Sequence, residues 1–212
     1  MNRIDCFVPF VSDEQVAVTA ANLRAESEVA KVEFLDAAIF KSTTGIRKIA
    51  ESAAAPFTMI YTKTTELSFG QFALERFLSI AEDSSAAMVY ADHFNEVDGN
   101  RAFAPVIDCQ EGALRDDFDF GSVLIYRTSA LKEAVARMDV DYEYAGLYDL
   151  RLKVSQRGSL VHINEYLYYE IETDTRKSGE KLFDYVDPKN RAVQIEMEKA
   201  CTQHLNKVGA LV

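Results

Sequence analysis

Ile4-Asp5-Cys6-Phe7-Val8-Pro9-Phe10 is a short apolar run met by a proline, the pattern of a buried strand that ends at a loop. Ser12-Asp13-Glu14-Gln15 follows as a capping box, serine with glutamine three residues on, and Val16, Ala20 and Leu23 continue at helical spacing. The alternation then repeats. Val32-Glu33-Phe34-Leu35-Asp36 predicts a second strand, and Thr44-Gly45 opens a helix with Ile46, Ile49, Ala50 and Ala53 on one face. Phe57-Thr58-Met59-Ile60-Tyr61 predicts a third strand, followed by a helix from about Ser68 to Glu82. Ala86-Ala87-Met88-Val89-Tyr90 predicts a fourth strand, which runs into Ala91-Asp92-His93. Strand–helix units in this order predict an α/β domain: a mostly parallel sheet with helices on both faces. Ligands of such sheets sit beyond the carboxyl ends of the strands, where Pro9, Asp36, Lys63 and Asp92 all fall.

The second half is less regular. Asp98-Gly99 is a turn signal between Phe94-Asn95-Glu96-Val97 and Arg101-Ala102-Phe103, which predicts a hairpin. Arg115-Asp116-Asp117-Phe118-Asp119-Phe120-Gly121 reads as a charged loop before the strand Val123-Leu124-Ile125-Tyr126. Helices are expected from Thr128 or Ser129 through Met138, and from Tyr148 to Gln156 with Gly158 at a left-handed cap. Leu160-Val161-His162-Ile163 is a further strand, with His162 a structural residue inside it and His93 a solvent-facing loop residue. Asp187-Pro188 starts a last helix that Gly209 ends.

Composition bounds the function. The 212 residues are 48% hydrophobic and 27% charged, with 10 Tyr and 13 Phe, enough to fill a sizeable core. One domain is the better expectation for this length. A net charge of -11 argues against a nucleic-acid partner and against simple adhesion to anionic lipid. It leaves room for anionic ligands carried by a divalent cation on carboxylates. No run approaches a membrane span, and no apolar leader follows Met1. Cys6, Cys109 and Cys201 are sparse and far apart, which fits a reducing cytoplasm and excludes zinc spacing. No GxGxxG follows the first strand, and neither GxxxxGK[ST] nor GxSxG occurs. A sheet without a glycine cradle must hold phosphate another way, and a metal on a strand-end carboxylate such as Asp92 is the direct route.

Three stretches carry a family resemblance. Met88-Val89-Tyr90-Ala91-Asp92 with Asp98-Gly99, Gly121-Ser122-Val123-Leu124-Ile125-Tyr126 with Arg127 to Leu131, and Tyr148-Asp149-Leu150-Arg151-Leu152 with Gln156-Arg157-Gly158 come in the order and spacing of one family. With Leu167-Tyr168-Tyr169 after them, the chain resembles family 2 glycosyltransferases of the GT-A fold, over roughly residues 3 to 178. The resemblance implies a Rossmann-like GT-A domain over 1–187, with 188–212 a C-terminal helix that leads to a further domain or docks a partner or a second copy. It implies inverting transfer of a sugar from a nucleoside-diphosphate sugar to a glycan or lipid-linked acceptor, with Mg²⁺ or Mn²⁺ as cofactor.

Site residues follow from the same resemblance. Asp92 falls on the last Asp of the family's Asp-x-Asp and is the expected metal ligand, with Tyr90 in place of the first. Asp36 falls near the nucleobase, and Pro9 and Lys63 complete the donor side. The family's acidic pair before the "YDLWLRL" helix is replaced by Gly146-Leu147. The base that inverting displacement needs is therefore sought in Asp149, at an exposed helix start, in Glu143, or in the loop at Asp116, Asp117 and Asp119. The rival expectation is a non-catalytic nucleotide-sugar-binding or scaffolding module.

Overall fold

The computed structural model describes residues 3–97, 100–171 and 191–210. Asp98-Gly99, Asp187-Pro188 and the last two residues lie outside the described residues. The elements run β1 (Ile4–Phe10), α1 (Asp13–Ala25), β2 (Val29–Asp36), α2 (Thr43–Ser52), β3 (Phe57–Tyr61), β4 (Leu67–Phe69) and α3 (Ala73–Asp83). They continue with β5 (Met88–Val97), β6 (Asn100–Ala104), β7 (Val123–Arg127), α4 (Thr128–Val135), α5 (Gly146–Val154), β8 (Leu160–Ile171) and α6 (Arg191–Val208).

The strands form one sheet in the order β2-β1-β3-β7-β5-β8-β4, with β6 paired to β5. β1 runs parallel to both β2 and β3. β7 is antiparallel to β3 and to β5, so β5 points the same way as β3, and β8 follows β5 in parallel. The sheet is thus mostly parallel, interrupted at its centre by one reversed strand.

Alternation along each strand builds a core on each face. Ile4, Cys6, Val8, Met59, Tyr61, Val89 and Ile125 pack with Leu23 of α1 and Leu74, Phe77 and Leu78 of α3. Phe7, Ile60, Tyr90, Leu124 and Tyr126 pack on the other side with Ile46 and Ile49 of α2, Leu131 and Ala134 of α4, and Leu150 and Val154 of α5. Helices therefore cover both faces, as the alternation predicts. α2 begins one residue before Thr44, because the Ser42 hydroxyl accepts the Gly45 N–H at 3.1 Å as its N-cap.

Several boundaries differ from expectation. β1 continues past Pro9 to Phe10 beside β2, because its ladder with β3 already ends at Phe7 and the proline has fewer bonds to break. The helix expected from Ser68 starts at Ala73, since Leu67–Phe69 pairs with β8 as an edge strand. The fourth strand does not end at Asp92: it and the first hairpin strand are one ten-residue strand, β5, that runs through Asp92 and His93. Gly158 is not left-handed. A Cβ there would meet the Ala87 Cβ at 3.2 Å, so close approach to β5 is what its small size serves. α6 packs on the domain through its apolar stripe: Ala200 is buried in a cluster with Tyr142, Ala145 and Leu152, and the Tyr142 hydroxyl donates to Gln203 Oε1 at 3.1 Å. No helix among the described residues is long and apolar enough to cross a membrane.

Candidate functional site

The carboxyl end of β3 pairs with the start of β7, and polar residues around this part of the sheet form three groups on its two faces. The first is centred on Glu170 near the end of β8, whose side chain is fully buried. It accepts from the Lys63 ammonium, which follows β3, and from the Ser122 hydroxyl, which precedes β7. His93 Nε2 lies 3.3 Å from it. Burial works to raise the Glu170 pKa, but hydrogen bonds from His93, Lys63 and Ser122 outweigh it and hold the carboxyl below its ordinary value. The Tyr168 hydroxyl accepts the Ser122 N–H at 2.9 Å, and the His93 ring stacks on Tyr168 with centroids 5.0 Å apart. Gly121 is needed here: its φ is +70°, and a Cβ would stand 2.3 Å from the Tyr168 hydroxyl.

The second group lies on the opposite face. Asp92 is 1% exposed. Its Oδ1 accepts the Val106 N–H at 2.9 Å and lies 2.8 Å from His162 Nε2. His162 Nδ1 lies 2.8 Å from the exposed Asp108 carboxylate, so a carboxylate faces each ring nitrogen. The Tyr90 ring stacks on His162, while its hydroxyl donates to the Ile107 carbonyl at 2.8 Å and accepts the Cys109 N–H at 2.7 Å.

The third is a cavity of about 260 Å³ against the face that α2, α4 and α5 cover. Lys41, Thr62, Asp119 and Gly121 line it together with Tyr126, Tyr148 and Arg151. The Lys41 ammonium is held below the usual lysine range, first by the surrounding protein and second by the neighbouring Lys63 ammonium. Thr62 is anchored by its N–H to the Ser122 carbonyl at 2.9 Å.

The expected site residues are not all brought together. Asp119 lines the cavity, exposed, with Oδ1 accepting the Gly121 N–H at 2.8 Å. Lys63 stands at the strand ends as expected. Asp36 is exposed at the end of β2, where its carboxylate accepts the Ala38 N–H at 2.9 Å, a turn-forming role, and a shallow groove separate from the cavity contains it. Pro9 is buried inside the β1–β2 ladder, Tyr90 in the second core. Glu143 is exposed and lines none of these cavities, although its neighbour Tyr144 does; its N–H donates to Glu196, which ties that loop to α6.

Two expectations are corrected. Asp149 is not at an exposed helix start: it is 1% exposed, in the first turn of α5, and pairs with the buried Lys153 one turn on. It does not line the cavity described above. Asp92 is not a strand-end loop carboxylate, because β5 carries it onward between β7 and β8. One of its oxygens is committed to the Val106 N–H and to His162, and no group of three or more His, Cys, Asp or Glu side chains that could hold a metal ion by itself occurs among the described residues.

Sequence reasoning missed Glu170, Lys41, Tyr126 and Arg151, and misread His93; His162 is the structural strand residue expected. His93 is 4% exposed on Glu170 rather than in solvent, and His162 bridges two carboxylates. A signal for Arg151 was present: it follows Tyr148 by three residues on the helix face that also carries Leu147 and Leu150. Of the tyrosines, Tyr142, Tyr148 and Tyr168 are buried, and Tyr166 and Tyr169 stack with Phe94 on the β5–β8 ladder.

No protein-family model and no curated protein matches the sequence. Solved structures do match the fold. Staphylococcus aureus TarS 1-349 superposes with a TM-score of 0.57 at 12% identity, over 79% of this chain and 60% of that one. The same protein in complex with UDP gives 0.57 at 11% identity, over 81% and 61%. The mannosyltransferase PcManGT from Pyrobaculum calidifontis, in complex with GDP-Man and Mn²⁺, gives 0.54 at 10% identity, over 97% of this chain and 64% of that one. The chain thus spans about 60% of the length of the first of these structures. Its fold is GT-A-like: a mixed α/β domain with a curled, mostly parallel sheet and helices on both faces.

Proposed function

We propose that the protein is a glycosyltransferase that takes its sugar from a nucleoside-diphosphate sugar. The observation that carries this reading is the cavity beyond the carboxyl end of β3, at the place where reversed β7 interrupts a GT-A-like sheet. Switch points of this kind are where open α/β sheets hold ligands. Structures of the same fold are complexes with UDP and with GDP-Man, which supports a nucleotide-sugar donor. Lys41 and Lys63 offer ammonium groups to a diphosphate at that point, and the Asp36 carboxylate offers an acceptor to a base N–H at the edge of the sheet.

Transfer proceeds in this reading by inversion, onto a hydroxyl of a glycan or lipid-linked acceptor. The acceptor must lose its proton as it attacks, and Asp119, which lines the cavity together with Asp116, is the first candidate for the base. Glu143 is the second candidate. Mg²⁺ or Mn²⁺ enters only by analogy with the Mn²⁺ of the mannosyltransferase complex, and the buried setting of Asp92 argues against it there. The second reading is a nucleotide-sugar-binding module without turnover, favoured by Asp149 being locked in an ion pair. A panel of UDP- and GDP-sugars, assayed for release of nucleoside diphosphate with and without oligosaccharide acceptors, separates them. Release stimulated by an acceptor supports transfer; tight binding with no release from any donor supports the module.

A further inference from the structure

The cavity contains a cation with no counter-ion among the described residues. Arg151 is 7% exposed, and among the described residues no carboxylate forms an ion pair with it. Its Nη2 atom is buried without a hydrogen-bond partner. What it touches is aromatic: its Cζ lies 4.7 Å from the Tyr148 ring centroid and 5.6 Å from that of Phe120. The hydroxyl of Tyr126, a residue on the wall of the same cavity, is also buried without a partner among the described residues. Burying a guanidinium and a phenol unpaired is costly, and folded chains ordinarily satisfy such groups. Two unpartnered donors on the lining of one cavity mark the place of an acceptor.

The chemistry of that acceptor follows from the donors. A guanidinium presents a planar fork that fits two oxygens of one anion, and a phenol adds a single donor beside it. Lys41 adds an ammonium to the same lining. Asp116 and Asp119 line the cavity too, but both are exposed and Asp119 already accepts the Gly121 N–H. Their charge is screened by water, whereas Arg151 acts from a dry position. Phe120, Leu124, Leu147 and Met197 supply apolar wall for the group that carries the anion. At about 260 Å³ the cavity lies just under the ~300 Å³ at which pockets begin to hold whole ligands, so it takes a part of one.

We infer that this cavity is a phosphate site, in which Arg151 and the Tyr126 hydroxyl bind the phosphate oxygens and Lys41 completes the positive lining. The phosphate belongs to the diphosphate of the donor or to a phosphorylated acceptor. That choice of source rests on the proposed transferase reading; binding of the anion does not.

The test is calorimetry at low salt on the full chain, with inorganic phosphate, UDP, GDP and glycerol 3-phosphate as probes. The expected result is binding of at least one probe by the wild type, with affinity at least tenfold lower in Arg151→Met and reduced to a lesser degree in Tyr126→Phe. Arg151→Lys keeps the charge but loses the fork, so it also binds more weakly than wild type. Should Arg151→Met fail to fold, Arg151→Lys and Tyr126→Phe carry the same comparison. Loss confined to UDP and GDP identifies the donor as the source, and loss confined to glycerol 3-phosphate identifies the acceptor. No binding of any probe by the wild type, or unchanged affinity in the folded variants, overturns the proposal. A wild type that binds phosphate at Arg151 yet releases no product from any nucleotide sugar keeps the phosphate site and refutes the transferase reading instead.

Discussion

Asp149→Asn separates a structural carboxylate from a catalytic one. Asp149 and Lys153 stand one turn apart on α5, with side chains 2% and 7% exposed. An exposed pair at this spacing is worth only about 0.3–0.5 kcal/mol. A buried pair behaves differently, because removing one partner leaves the other charge uncompensated, at a cost of about 3–5 kcal/mol. In Asp149→Asn that uncompensated charge is the buried Lys153 ammonium. At roughly 2–4 °C per kcal/mol for a chain of this size, the melting temperature falls by about 6–20 °C. Asp149→Leu combined with Lys153→Met removes both charges and keeps apolar volume, and its stability returns to within about 1 kcal/mol of wild type or above it. Urea unfolding followed by circular dichroism gives both numbers. A loss under about 1 kcal/mol in Asp149→Asn, with sugar transfer per folded molecule abolished, refutes the argument and makes Asp149 the base.

Three further outcomes follow from the same geometry. Glu170 has its pKa depressed in the folded state, so the stabilisation it contributes is fully present above the unfolded value of about 4.3 and is lost as pH falls through the folded one; acid titration of stability in Glu170→Gln should show a shallower loss below pH ~4.3 than wild type, and identical slopes would count against it. Asp92→Asn should cost about 1.5–3 kcal/mol, because it weakens hydrogen bonds to a charged acceptor, while UDP and GDP bind equally well in Mn²⁺ and in EDTA; Mn²⁺-dependent binding that Asp92→Asn abolishes would restore the metal site. Asp119→Asn should slow sugar transfer by ~10²–10⁴-fold with donor affinity nearly unchanged, and full transfer there with loss in Glu143→Gln would move the base to Glu143.

The fold was legible because its information is local. Ile4 to Phe10, Phe57 to Tyr61 and Met88 to Ala91 are apolar over lengths that suit strands, and Ile46, Ile49, Phe77 and Leu78 repeat at helical period between them. What escaped was whatever depends on pairing across the sheet. Nothing in Tyr90-Ala91-Asp92-His93 says that the strand continues, because its continuation is made by β8, some seventy residues on, whose Ile163, Tyr166 and Tyr168 register against Ala91, Asp92 and His93. Once that ladder exists, Asp92 is drawn between sheet and loop and meets His162. Local reading places a strand-end carboxylate in water by default; burial is decided by the partner strand. Asp149 was misread for a related reason. Its position one turn before Lys153 was visible, but whether such a pair is a solvated ornament or a buried commitment depends on α6, which packs over it through Ala200.

The site itself turned on a balance that the total charge conceals. A surface carrying -11 suggests that an anionic ligand arrives with a metal. That argument treats charge as an average, whereas a ligand responds to the groups within a few ångströms, in proportion to how little water lies between. The carboxylates of the charged loop are exposed, and Asp117 already spends its charge on Arg115. The cations near β3 are the reverse: Lys63 is held by a buried glutamate, Lys41 is crowded enough to lower its pKa, and Arg151 is enclosed by rings. Burial first, and the neighbouring Lys63 ammonium second, depress the Lys41 pKa. A metal and a set of fixed ammonium and guanidinium groups can do the same work on a leaving phosphate. The acidic exterior is then compatible with a positive interior: repulsion at long range is screened within about a Debye length, and what remains is the short-range grip of Lys41, Lys63 and Arg151.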